Sequence, residues 1–215
     1  MVDVSEPVGL RARKRERTRR AISEAAIAMF LADGFDVVSV ADVAAAAEVS
    51  KPTLFRYFPT KEDLVLDRFA DHRGEAARVV RGREPDEKPL AALKRHIRNA
   101  LDERDPVTGL CDNPEVLAFN RLVFGTPSLA ARLAQLRTYD TDELAGAFRE
   151  ATGEENPFIC RLVAVQVVAV THELAHRNWA KLAGGRSADD VHQEAVVALT
   201  RAFALLGKGA EKFGY

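Results

Sequence analysis

His172, Glu173 and His176 stand in the order H-E-x-x-H, within the run HELAH at 172–176. On a helix, two histidines four residues apart share a face and can bind Zn²⁺, and the glutamate between them can act as general base on a peptide bond. Glu194 lies downstream as a conceivable third ligand, and with it the chain would be a zinc metallopeptidase. Such enzymes set this helix beside a strand that aligns the substrate, and no strand pattern occurs in this sequence. A motif with so few fixed positions also recurs by chance. The competing reading places His172 and His176 on one face of a long helix, as polar groups of an interface or a ligand pocket. His72, His96 and His192 carry no motif and read as surface residues, and Trp179 as core or interface. No Gly-rich phosphate loop or Ser/His/Asp pattern occurs, and no cofactor is implied.

A second set of residues suits nucleic acid. Lys51, Thr53, Arg56 and Tyr57 project from a short helix whose Leu54 and Phe58, four apart, form the packing side. Ammonium, hydroxyl and phenol groups suit phosphates, and an Arg in a major groove favours guanine through its O6 and N7. The flanking residues position this helix. Ser39 can cap one helix and Ser50 the next, Pro52 fits the opening turn, and Thr60 with Asp63 can cap a third. Two helices split by a short turn make a helix-turn-helix. In the first of them Val40, Val43, Ala44 and Ala47 face inward. Upstream, LRARKRERTRR leads into an amphipathic helix bearing Ile22, Ala26, Met29 and Phe30, which Gly34 can end. This basic run reads either as a solvated arm or the polar first turns of that helix, or as an arm leading into it whose Arg11, Lys14, Arg15 and Arg17 hold phosphates. The net charge of the chain is −1, yet Leu10–Lys61 holds ten basic residues against six acidic ones. The positive footprint is therefore local.

FLADGF, SVADVAAAAEVS and KPTLFRYFPTKEDL, within residues 14–69, resemble the DNA-binding domain of the TetR family of transcriptional regulators. The resemblance implies an all-α homodimer that occupies a palindromic double-stranded DNA operator and releases it when a small effector binds. Carried over by position, Lys51, Pro52, Thr53, Phe55, Arg56 and Tyr57 would face DNA, and Ser39 and Lys61 would hold phosphates. Two residues depart from the pattern. Glu48 stands where the family usually has Gly, and a side chain at positive φ there costs about 1 kcal/mol or more. Ala41 replaces a long side chain that some members aim at the bases, which leaves the reading chiefly to the helix from Lys51.

The remaining chain completes an all-α, TetR-like plan: a lead-in at 1–9, expected to be disordered, a three-helix DNA-binding domain at 10–62, a helical ligand-binding and dimerisation domain at 63–208 and a tail at 209–215. The expected helices run from Lys61 to about Val80, from Leu90 to Leu101, from Val116 to Phe124, from Pro127 to near Gly153 and from Phe158 to about Leu182, with a last one capped by Ser187. The Phe158 helix is apolar nearly all round and needs cover on several sides, which the last two helices would find by pairing with their copies in a second subunit. Phe119, Leu122, Phe124, Phe148, Gln166, Val170 and His172 are candidates to line an effector pocket. The C-terminal half resembles regulators of the mycofactocin and acyl-CoA-like ligand group, implying a hydrophobic effector. No apolar run reads as long and charge-free enough to span a bilayer, and the N-terminus carries basic residues with no apolar stretch behind them, so the chain reads as cytoplasmic with no membrane partner. Cys111 and Cys160 are too few for a disulfide framework and read as reduced packing residues.

Overall fold

A computed structural model describes residues 6–210 and Gly214, and among these residues every regular element is helical. The helices are α1 (Glu6–Asp33), α2 (Val40–Ala46), α3 (Lys51–Tyr57), α4 (Lys61–Leu66), α5 (Glu75–Arg81), α6 (Pro89–Asp102), α7 (Pro114–Gly125), α8 (Pro127–Thr152), α9 (Pro157–Ala183) and α10 (Ala188–Ala210), with short 3-10 turns at Asp67–His72 and Pro106–Thr108. Residues 6–9 of the expected lead-in open α1, and Gly209 and Ala210 of the expected tail close α10. Residues 1–5, 211–213 and 215 of those two segments lie outside the described residues.

The chain divides into two compact units, one of residues up to Ala70 together with Leu122–Arg132, the other of Asp71–Arg121 and Leu133 onward. In the first, Ile22, Ala26, Phe30, Val43, Leu54, Phe58, Leu64, Val65 and Leu66 are almost entirely enclosed. Each large side chain of this set contributes about 1.5–3 kcal/mol on burial. The expected domain boundary at 62/63 therefore falls inside the first unit. The Ser23 hydroxyl donates to the Leu64 carbonyl at 2.7 Å, and Arg132 pairs with Asp63 at 3.0 Å. The single helix expected from Lys61 to Val80 is also broken. After Leu66 the chain tightens to a 3-10 turn, and Gly74 at φ 66 restarts it as α5.

The second unit has its own core, drawn from Ala77 and Val80 of α5, Leu93 and Leu101 of α6, Leu144 and Phe148 of α8, Cys160 and Val167 of α9, and Val191, Leu199 and Phe203 of α10. Helix α9 corrects the expectation that no segment is apolar enough to span a bilayer. By length and composition it is, with a mean hydropathy of 1.6 over its most apolar stretch. It is nonetheless built into the unit. Cys160, Val163, Ala164 and Val167 are buried, and the buried Asn178 amide donates to the Thr108 carbonyl at 3.0 Å. Phe158, Leu162 and Val165 remain exposed on its other side.

Candidate nucleic-acid interface

The helix-turn-helix is fixed by local hydrogen bonds. The Ser39 amide donates to Asp42 Oδ2 at 2.8 Å and the Asp42 amide to Ser39 Oγ at 3.2 Å, a closed capping box that starts α2 and holds the Asp42 carboxyl below its ordinary pKa. At the far end Glu48 takes φ 54, with its amide on the Ala45 carbonyl at 3.1 Å and the Val49 amide on Ala44 at 2.9 Å. This is the Schellman arrangement with a glutamate in the position that favours glycine, so the turn is made as expected, with strain. Ser50 then caps α3, accepting from the Thr53 amide at 3.2 Å and sharing a hydrogen bond with the Thr53 hydroxyl at 2.8 Å.

Leu54 and Phe58 are fully buried, which turns the opposite side of α3 outward. Lys51, Pro52, Phe55 and Arg56 are exposed, and Thr53 and Tyr57 are half-buried. Phe55 is 47 % exposed, an unusual state for a phenylalanine in a closed core and a natural one for a base-contacting surface. The upstream basic run is the beginning of α1. Arg11, Lys14, Arg15 and Arg17 are all exposed on it. Arg11, Arg15 and Arg19 share one stripe at helical spacing, and that stripe meets α3. The Arg15 guanidinium lies 6.0 Å from the Tyr57 ring centre, and Arg56 lies 5.9 Å from the same ring. Arg17 is two residues from Arg15 and so projects from the opposite side of α1.

Two basic residues serve the fold instead. Arg19, which the sequence left inside a charge count, donates through Nε to Asp67 at 2.8 Å and through Nη1 to the Tyr57 carbonyl at 3.1 Å, with its guanidinium 4.7 Å from the Phe58 ring centre. It clamps α1 to the end of α3 and to the segment after α4. Its spacing of four from Arg15 placed it on the right face, but no local signal named Asp67. Lys61, expected to hold a phosphate, turns inward. Its ammonium donates to the Phe35 carbonyl and lies 4.4 Å from the Phe35 ring centre.

The other candidate sites separate. Phe148 is fully enclosed core, Phe119 is buried, Val170 and His172 are half-buried, and Gln166 is exposed and donates to the Leu162 carbonyl at 3.2 Å. Leu122 and Phe124 belong to the first unit and the other five to the second. His172 and His176 do share a face, with ring centres 6.2 Å apart, but Glu194 is taken by Lys181 and by Arg186 at 2.8 Å. Among the described residues no group of three His, Cys, Asp or Glu side chains could hold a metal ion. Burial, then the Arg137 charge, then His176 push the His172 pKa down to about 4, so its imidazole is neutral at pH 7. His72 and His96, expected as plain surface residues, both contact Glu75, at 2.9 and 3.3 Å, and His192 contacts Asp102 at 2.7 Å. Cys160 is buried and Cys111 half-buried, both unpaired with each other.

Residues 22–67 match the profile of the family described as bacterial regulatory proteins, tetR family. Over 174 residues the chain is 31% identical to the HTH-type transcriptional regulator TcmR of Streptomyces glaucescens, covering 80% of this chain and 76% of that protein. It is 26% identical over 215 residues to MftR of Mycobacterium tuberculosis, described as a mycofactocin biosynthesis transcriptional regulator, covering 93% and 94%. Its fold matches the crystal structure of NalD, the secondary repressor of the MexAB-OprM multidrug efflux pump in Pseudomonas aeruginosa, with a TM-score of 0.57 at 16% identity, over 87% of this chain and 97% of that one.

Proposed function

The chain belongs to the TetR family of transcriptional regulators, and from that premise we propose that it is a repressor whose homodimer holds a palindromic operator and lets it go when a small hydrophobic effector binds the second unit. The observation that carries this reading is α3, a capped helix with one side sealed by Leu54 and Phe58 and the other offering Lys51, Pro52, Phe55 and Arg56 to the outside. Arg56 is assigned to a guanine edge. Lys51, Thr53 and Tyr57 are assigned to phosphates beside it, and Arg11 and Arg15 extend the phosphate track along α1. Lys14 and Ser39 stand at its margins. Lys61 is given up as a phosphate ligand, because its ammonium is already engaged.

The dimer is assigned to α9 and α10. Phe158, Leu162 and Val165 on α9 and Val197 and Leu205 on α10 are exposed large apolar side chains, and a second copy would take them out of water as a four-helix arrangement. Two recognition helices reading one face of DNA must sit about 34–36 Å apart, so an effector acts by favouring a dimer with another spacing. DNA as the partner puts the protein in the cytoplasm.

Selection of bound sequences from random DNA tests the reading. A consensus with two-fold symmetry is the expected result, and a consensus without it, or none at all, overturns it. On the selected sequence Arg56→Ala, which removes one contact from each half-site, should weaken binding roughly 30-fold or more, the worth of about 2 kcal/mol at the least, and relax the preference at one base pair of each half-site. Unchanged affinity would remove Arg56 from the groove.

A further inference from the structure

Resting on the operator-binding reading above, we propose that the first half of α1 straddles the DNA backbone, with Arg13, Arg17 and Arg20 forming a second phosphate-binding row opposite Arg11 and Arg15. Helix α1 is continuous through this stretch, where the Thr18 hydroxyl donates to the Lys14 carbonyl at 3.0 Å. A step of about 100° per residue then fixes which side chains share a face. Positions 13, 17 and 20 fall on one row, about half a turn from 11 and 15. All five arginines are exposed, and among the described residues of α1 burial begins at Ile22. Residues 11–17, about 10 Å of helix, thus stand ahead of the core of the first unit.

A cationic row on a helix ordinarily pairs with acids one turn away. Glu16 and Glu24 stand at that spacing from Arg20, and Glu16 from Arg13, yet among the described residues Arg13, Arg17 and Arg20 have no ion pair and no hydrogen bond. Their neighbours at helical spacing are instead like charges: Arg13 with Arg17, Lys14 with Arg17, and Arg17 with Arg20. Each such pair works against the free helix, and a polyanion relieves it. A flat anionic surface, such as the acidic face of a protein, reaches one row at a time. Rows on opposite faces call for anions on two sides, and a duplex supplies them in the strand that borders the groove entered by α3 and the strand across the neighbouring groove. The near row leads directly to α3, because the guanidinium of Arg15 lies 6.0 Å and that of Arg56 5.9 Å from the Tyr57 ring centre. The far row extends this surface along the backbone, so it adds affinity and no base preference.

The test measures binding of the full chain to its selected operator over a salt series, for wild type, for the triple variant R13Q/R17Q/R20Q and for R13K/R17K/R20K. It also reads the melting temperature of each free protein and the number of duplexes bound per dimer at saturation. The glutamine variant removes six charges from the proposed dimer, three from each copy, so the slope of log affinity against log salt should fall by roughly five. Its affinity at low salt should drop about 100-fold or more, with the selected consensus unchanged. The lysine variant should keep the slope, because a backbone phosphate asks for charge and not for the guanidinium fork. Without DNA the glutamine variant should melt at or above the wild-type temperature, since like charges have been thinned. An unchanged slope or an altered consensus in the glutamine variant, an equal loss of slope in the lysine variant, a lower melting temperature of the free glutamine variant, or two duplexes on one dimer would each overturn the assignment. Failure of wild type to bind any selected DNA would bring down the regulator reading itself.

Discussion

Gly109 is the position where the structure permits the sharpest calculation. It ends the 3-10 turn after α6 at φ +69, and its α-carbon faces the backbone of α9. A Cβ built there meets the Ala175 carbonyl oxygen at 2.0 Å, the Ala175 carbonyl carbon at 2.8 Å and the Trp179 amide nitrogen at 3.1 Å. An ordinary carbon-to-oxygen contact is about 3.3 Å or more, so Gly109→Ala forces the turn and α9 apart by over ~1 Å. Gly153 supplies the control. It has φ +68, and nothing lies within 4 Å of its Cβ. Both alanines suffer the same left-handed backbone cost of about 1–2 kcal/mol, partly offset by the stiffer unfolded chain. Only G109A adds overpacking, about 1–3 kcal/mol, since no flexible side chain can give way. G109A should therefore melt roughly 2–12 °C below G153A for a chain of this size. Urea and thermal unfolding of the two variants side by side give the difference directly. A gap below about 0.5 kcal/mol would refute the close approach of turn and helix, and with it the seating of α9 in the second unit.

Arg19→Ala should cost about 1.5–3 kcal/mol, because it strips the partly buried Asp67 and the Tyr57 carbonyl of charge-assisted bonds, while Arg17→Ala on the far side of α1 should leave the melting temperature unchanged. Replacing Arg11 and Arg15 together, which removes four charges from the proposed dimer, should weaken binding to all DNA sequences alike and lower the slope of log affinity against log salt by roughly four, and an unchanged slope would detach α1 from the phosphates. The pKa of His172 lies at about 4 in the folded chain against an ordinary 6.5, so the unfolded chain takes up this proton first as pH falls. Its contribution to stability is therefore whole above about pH 6.5 and is lost between there and pH 4. His172→Gln should flatten that part of the acid limb, and an imidazole titration midpoint near 6.5 by NMR would contradict the burial.

What could be read in advance follows from how locally each feature is encoded. Ser39 with Asp42, Ser50 with Thr53, and Thr60 with Asp63 fix helix starts through bonds spanning three residues, so the caps and the reading helix were visible in the sequence. The strain at Glu48 was visible for the same reason. The partners of Arg19 and Lys61 lie 48 and 26 residues away, and no periodicity announces them. The break after Leu66 was missed because Asp67–His72 has ordinary helical residues, and Gly74 acts only through its left-handed backbone. The effector lining was least legible. Apolar type is shared by core and pocket, so residues such as Phe148, which is fully enclosed, carry no signal that separates the two.

The seven residues of α3 set a limit on information. At 1.5 Å per residue the helix is about 10 Å long, the rise of roughly three base pairs. In the proposed dimer two copies would inspect about six base pairs directly, and any six-base-pair word recurs by chance once in ~4,000. Against the ~10⁶ or more competing sites of a genome that leaves hundreds of equally good addresses. On the proposed operator, a regulator with so short a reader would have to draw the rest of its selectivity from the shape and stiffness of the DNA between the half-sites, which would make the uncontacted centre part of its code.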